Sequence, residues 1–189
     1  LNLAFLGVVA SSPPRLAYCH VCGGKRIFIR THPSPRIGTR CLSCMSTAHH
    51  RGAFSVIREL FGPKLERLTS AYEMSAHGTL YKALKRHSKA SGFSFQFSEF
   101  LDGWKPGEVY NGVRCENVES LTFADGSFDL VTSTGMMEHV ENDVAGFREI
   151  TRVLRPGGAY IFTVPYHEGP TIVRATRIDG SVYHYEEPE

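Results

Sequence analysis

The sequence predicts an α/β fold: a doubly wound, mostly parallel sheet covered by helices, preceded by a small module that four cysteines hold together. Two observations carry this. Past residue 70, strand-like apolar runs alternate with segments of helical periodicity, as a parallel sheet requires. Before residue 53 the chain is short, punctuated and rich in Pro, Gly and Ser, with turn signals at Pro13-Pro14, Gly23-Gly24, Pro33 to Pro35 and Gly38. Such a stretch builds little core of its own and needs a staple. With 42% hydrophobic and 21% charged residues in 189, the chain has the composition of a folded protein and not of a disordered one.

The expected boundaries are a cysteine module over 1–52, a connecting helix over 53–70 and the α/β domain over 71–189. In the connecting helix Phe54, Ile57, Leu60 and Phe61 share one face until Gly62-Pro63 interrupts it. Strands are expected at 71–74, 93–97, 112–115, 128–133 and 159–164, with a helix over 79–88. A further helix is capped by Asn142 or Asp143 and buries Val144, Phe147, Ile150 and Leu154 until Pro156-Gly157-Gly158 stops it. Phe128-Asp129-Leu130-Val131 has the near-continuous apolar character of a central strand covered on both faces.

No apolar run reaches the roughly 20 residues of a membrane span. The opening LNLAFLGVVA reads as a buried strand or as the remnant of a longer precursor, a signal peptide being the lesser alternative. A cytoplasmic setting, which keeps thiols reduced, is the expectation.

Cys19-x-x-Cys22 and Cys41-x-x-Cys44, eighteen residues apart, have the spacing of a tetrahedral four-thiolate zinc site in which each pair forms a knuckle. Closed four-sulfur coordination leaves no position for water, so Zn2+ here is expected to be structural. His20, His49 and His50 lie near enough in sequence to replace a ligand, but four cysteines already complete the shell. Cys115 stands apart and reads as a small buried apolar residue.

Charge is unevenly spread. Residues 1 to 58 hold eight Lys or Arg and no Asp or Glu, whereas the remainder holds thirteen basic and nineteen acidic residues. A basic module on an acidic body suits an anionic partner such as RNA; equally, the positive charge can balance the net negative charge of a four-thiolate zinc site.

Three stretches carry a family likeness: NVESLTFADGSFDLV (117–131), STGMMEHV (133–140) and FREITRVLRPGGAYIFTVP (147–165). In this order they resemble the class I S-adenosylmethionine-dependent methyltransferases, in particular the small-substrate group. The resemblance is close over about 110–165 and looser over 71–109. It implies a Rossmann-like domain with S-adenosylmethionine as cofactor and a small-molecule or glycan-type acceptor, with RNA as the less favoured one. Asn117 and Val118 match the positions that hold the adenine, and Glu99 the one that takes the ribose hydroxyls. Glu73, Ser75 and Gly78 fall in the first βα turn, where the family has glycines; here Ser75 and His77 replace two of them. Gly135 falls in the crevice beyond the central strand. His139 and His167 are the candidate bases, because a neutral imidazole titrates near the working pH; for His139 a packing role against the strand is the competing reading. The family fold also continues with a helix and two strands, and too few residues follow Pro165 for these. A C-terminally short domain is therefore expected, with TIVRATRI (171–178) as one edge strand.

Overall fold

The computed structural model describes residues 13–33, 38–165, 175–178 and 181–184. LNLAFLGVVA and the segment carrying Tyr166 and His167 lie outside the described residues. The chain divides into two compact units, residues 1–68 with 77–93 and residues 69–76 with 94–189. The helix expected over 79–88 thus groups with the cysteine module.

In the first unit, β1 (Arg15–Cys19), β2 (Gly24–Arg30) and β3 (Thr39–Cys41) form an antiparallel sheet in that order. Helix α1 (Ala48–Phe61) starts at Thr47, earlier than the periodicity suggested, and ends at Gly62, whose φ of 90° favours glycine. It buries Ala53, Phe54 and Ile57, while Leu60 stays 48% exposed, so the buried stripe is narrower than expected. Helix α2 (Gly78–Ser91) buries Leu80, Ala83 and Leu84. Both helices reach the first cysteine pair: Arg58 donates to the His20 carbonyl (2.6 Å) and Arg86 to that of Val21 (3.0 Å).

The second unit is built on six strands in the order β6-β7-β5-β4-β8-β9: β4 (Ser70–Glu73), β5 (Ser94–Glu99), β6 (Val109–Tyr110), β7 (Val113–Cys115), β8 (Phe128–Thr134) and β9 (Leu154–Thr163). All neighbouring pairs are parallel except β6 with β7. The five parallel strands match the five expected ones within a few residues; the antiparallel edge strand β6 had no periodicity long enough to show. Strands β10 (Ala175–Ile178) and β11 (Ser181–His184) pair with each other in a separate hairpin. The expected edge strand is therefore present in part, but it does not extend the main sheet.

Helix α3 (Asp143–Val153) is capped as expected, the Asn142 side chain accepting from the Ala145 amide. Its buried face is Gly146, Ile150 and Val153, not the expected Val144, Phe147 and Leu154: Val144 is 54% and Phe147 38% exposed. The helix ends at Val153, so Leu154 already belongs to β9. Gly146 takes an inward position beside Met137 and Val118, where a Cβ would stand in ordinary contact at 3.5 Å. The core joins Tyr72, Met74, Leu121, Phe128, Val131, Met137, Ile150 and Val153.

One carboxylate fixes the start of the sheet. Asp129 accepts from the Thr69 and Ser70 amides (2.8 and 2.9 Å), from the Thr69 hydroxyl (2.6 Å) and from Arg155 (2.8 Å), which ties β8 to the entrance of β4 and to β9. Partial burial opposes its charge, but the Thr69 hydroxyl, the Arg155 guanidinium and the two amides outweigh that and hold the carboxyl down at about 2. Since the folded value lies below the ordinary value of about 3.9, the stabilisation is complete above that value and is lost as pH falls through about 2. Asp129→Asn is expected to lower stability at neutral pH by about 1–3 kcal/mol and to flatten the acid limb between pH 4 and 2, measured by urea unfolding across pH.

Candidate functional site

The four cysteines meet as the spacing predicted. Their sulfurs lie within 4.8 Å of one another. Cys19 and Cys44 are 3.7 Å apart and Cys22 and Cys41 3.9 Å, too far for a disulfide and close to the ~3.8 Å edge of a zinc–thiolate tetrahedron. Each knuckle closes by a backbone bond, Gly23 amide to Cys19 carbonyl (2.8 Å) and Met45 amide to Cys41 carbonyl (2.7 Å). Gly23 has φ +70°, and a Cβ there would meet the Arg58 guanidinium at 2.9 Å, so the first knuckle needs glycine. The Ser46 hydroxyl, fully buried, lies 3.2 Å from Cys44 Sγ and 3.6 Å from Cys19 Sγ.

Without a cation such a cluster resists full ionisation. Burial works against the Cys19 charge, yet the Cys22 amide and the Ser46 hydroxyl bring the thiol down to about 7. Cys22 is driven up by burial and by the neighbouring Cys44 and Cys19 sulfurs. A divalent ion removes this repulsion, so the donor set fits Zn2+. The nearby histidines have other work: Thr47 Oγ1 bonds His50 Nδ1 at 2.8 Å, and the metal-competent group comprises the cysteines alone among the described residues. Cys115 is buried, as the sequence suggested.

In the second unit a cleft of about 240 Å³ opens at the C-terminal ends of the parallel strands, as open α/β sheets place their ligand crevices. It gathers Glu99, Asn117, Val118 and His139 from the expected residues, with Tyr72, Met74, Glu116 and Met136. Glu99 ends β5 and reaches back to the turn after β4, its Oε1 accepting from the Ser75 hydroxyl (2.9 Å) and the Ala76 amide (2.7 Å). The serine that replaces a family glycine thus serves to orient the acid. Asn117 accepts from the Glu119 amide (2.9 Å), a local turn that presents Val118 to the cleft. His139 sits exposed at the end of a 3₁₀ turn, Met137–His139. Gly135, at φ +62°, lies beyond the end of β8. Gly78, at φ +77°, opens α2 in the other unit.

Glu73 ends β4 completely buried. One oxygen accepts from the Thr132 hydroxyl; the other, Oε1, has no partner among the described residues. Burial pushes its carboxyl up to about 8, with the Thr132 hydroxyl opposing and Glu99 adding to the rise. A buried oxygen left without a partner at a strand end costs about 1–3 kcal/mol. Two residues that the sequence did not single out also shape the site. Glu116 is buried, paired with Arg114 (2.5 Å), and accepts from the Thr122 amide (2.9 Å). Tyr72 lines the cleft, as does Met136 from the segment expected at the crevice. Glu138, in that same segment, keeps a buried oxygen without a partner among the described residues.

A parallel sheet with acids at the ends of adjacent strands, converging on one crevice, is a Rossmann-like arrangement suited to a cofactor. Residues 76–162 are similar to the family described as "Methyltransferase domain". The chain is 50% identical over 46 residues to the ubiquinone/menaquinone biosynthesis C-methyltransferase UbiE of Stenotrophomonas maltophilia (24% of this chain, 18% of that one). It is 46% identical over 43 residues to the uncharacterized protein YafE of Escherichia coli (23% and 21%). The matches therefore span about a fifth of those relatives' length. A solved S-adenosylmethionine-dependent methyltransferase from Mesorhizobium loti is similar over 74% of this chain and 65% of that one, at 17% identity and a TM-score of 0.45.

The cysteine geometry leads to one expected outcome. The purified chain carries one zinc per molecule by elemental analysis, and Cys41→Ala, which removes a fully buried ligand, releases it and unfolds the first unit. A metal content unchanged by Cys41→Ala would exclude this site.

Proposed function

We propose that the chain is an S-adenosylmethionine-dependent methyltransferase acting on a small-molecule or glycan-type acceptor, with a structural zinc ion in the cysteine module. The observation that carries the reading is the convergence of Glu99, Asn117 and Val118 on one cleft. Asn117 offers a donor and an acceptor to an adenine edge, and Val118 an apolar surface to its face. Glu99, fixed by Ser75 and Ala76, offers its carboxylate to vicinal ribose hydroxyls.

When bound, S-adenosylmethionine supplies an electrophilic methyl carbon. Transfer forms a bond from the acceptor lone pair to that carbon and breaks the carbon–sulfur bond, leaving a thioether. A hydroxyl or protonated amine acceptor must also lose a proton. His139 is the cleft residue suited to take it, being an imidazole exposed at the rim.

One observation favours RNA as a second reading of the acceptor, the complete lack of acidic residues before Glu59. An RNA affinity that falls steeply with salt would support it, and absent binding would remove it.

Isothermal titration with S-adenosylhomocysteine tests the main reading. The wild type is expected to bind, and Glu99→Ala to lose about ten-fold in affinity, which corresponds to about 1.4 kcal/mol. No heat from a folded, zinc-loaded protein at millimolar ligand would leave a binding module with a methyltransferase fold in place of an enzyme.

A further inference from the structure

The strand ends beside the cleft hold a polar cluster that cofactor recognition by Glu99, Asn117 and Val118 leaves unused. Thr132 and Ser133 are buried at the end of β8. The Ser133 and Tyr160 hydroxyls share one hydrogen bond at 2.7 Å, and Thr132 donates to Glu73. Glu73 Oε1 and Glu138 Oε2 are both buried without a hydrogen-bond partner among the described residues. The two carboxylates act on the same hydroxyl: burial, then the charges of Glu73 and Glu138, push Tyr160 up to about 12.

Glu138 belongs to the turn whose flanking residues Met136 and His139 line the cleft. Gly135 leaves its carboxylate open on one side, since a Cβ there would stand 3.5 Å from Glu138 Oε1. A buried carboxylate oxygen without a partner, as Glu138 Oε2 is among the described residues, is costly unless a cation or polarised hydrogens meet it. Strand order says which part of the ligand arrives there. With the adenine at the end of β7 and the ribose at the end of β5, each further strand is about 4.8 Å on, so the sulfur next to the ribose falls over β4 and β8. These strands lead to Glu73 and Glu138. A sulfonium has no N–H, but its positive charge and the polarised C–H bonds of its methyl group suit oxygen acceptors.

We infer that Glu138 is a specificity residue that recognises the sulfonium charge and so lets the site tell S-adenosylmethionine from the neutral thioether product. The inference rests on the proposed cofactor reading. Its functional consequence is release of product: once the charge is gone, the carboxylate has no counter-ion and the thioether is held less firmly.

The test is titration calorimetry of both ligands with the full chain, wild type and Glu138→Gln, an isosteric change that removes only the charge. The expected result is an affinity for S-adenosylmethionine lowered about ten-fold, with S-adenosylhomocysteine changed less than about two-fold. An analogue with a protonated amine in place of the sulfonium should weaken along with S-adenosylmethionine. Equal losses for both ligands would show that Glu138 holds a shared part of the cofactor, and no loss would show that it does not face the cofactor; either overturns the inference while leaving the proposed function standing. A wild type that binds neither ligand removes both. If the Gln variant does not fold, Glu138→Ala carries the test: the ratio of the two affinities is expected to fall about ten-fold, and a ratio unchanged from wild type overturns the inference.

Discussion

Asp129 is the constraint on which the second unit depends. At the start of β8 it takes both backbone amides at the entrance of β4 and the guanidinium at the bulge of β9. Three parallel strands are thereby set in register at one end, and the carboxyl ends of those strands have to emerge together at the other. Glu73 and the 3₁₀ turn reach the same rim for that reason, with Glu99 delivered beside them by the pairing of β5 with β4. The Pro-Gly-Gly stretch belongs to this clamp. Register slips between Phe128 and Leu130, and a Cβ at Gly158 would lie 2.9 Å from the Arg155 carbonyl and 3.1 Å from that of Asp129. Gly158 serves close backbone approach, and Gly157, at φ +82°, a backbone conformation that favours glycine.

A second tie carries the rim into the cleft wall. Arg152 donates to the Leu121 and Phe123 carbonyls, to Asp125 and to Glu149, while Glu149 takes the Leu121 amide. This fixes the segment after Asn117 against α3. The Arg114–Glu116 pair and Thr122 hold its other side. Val118 and Asn117 are therefore presented by a framework of charge-assisted bonds that are individually modest but share partners, so the loop moves as one piece or not at all.

The sequence was most legible where the signal is a repeated spacing. Two Cys-x-x-Cys pairs predicted a sulfur tetrahedron, and alternation of strand and helix patterns predicted the parallel sheet. Periodicity failed in α3, where Val144 and Phe147 look like core and face outward. The inward place went to Gly146, which packs beside Met137 and Val118, and no hydropathy pattern marks a glycine as core. The ribbon strands were too short and too polar to announce themselves. Glu116 gave no signal for a related reason: a carboxylate becomes significant through burial, which depends on contacts far along the chain.

The replaced glycines of the first turn illustrate how a local departure from a pattern acquires a purpose. Read alone, Ser75 puts a side chain where the family leaves room. In the folded chain its hydroxyl and the following amide both point to Glu99 Oε1, so the added atoms orient the acid that faces the cleft. The same reasoning tempers the basic character of the first unit. Arg51 spends its guanidinium on the Ser46 and Thr39 carbonyls and on the Phe28 ring, and Arg58 on the His20 carbonyl and Phe54. Arg30 closes on His32 and Pro33. Much of that positive charge is thus committed to carbonyls around the thiolate cluster, where it offsets negative potential. An anionic partner would have to be drawn by the remaining cations, among which Lys25 and Arg40 lie on the strands of the ribbon itself.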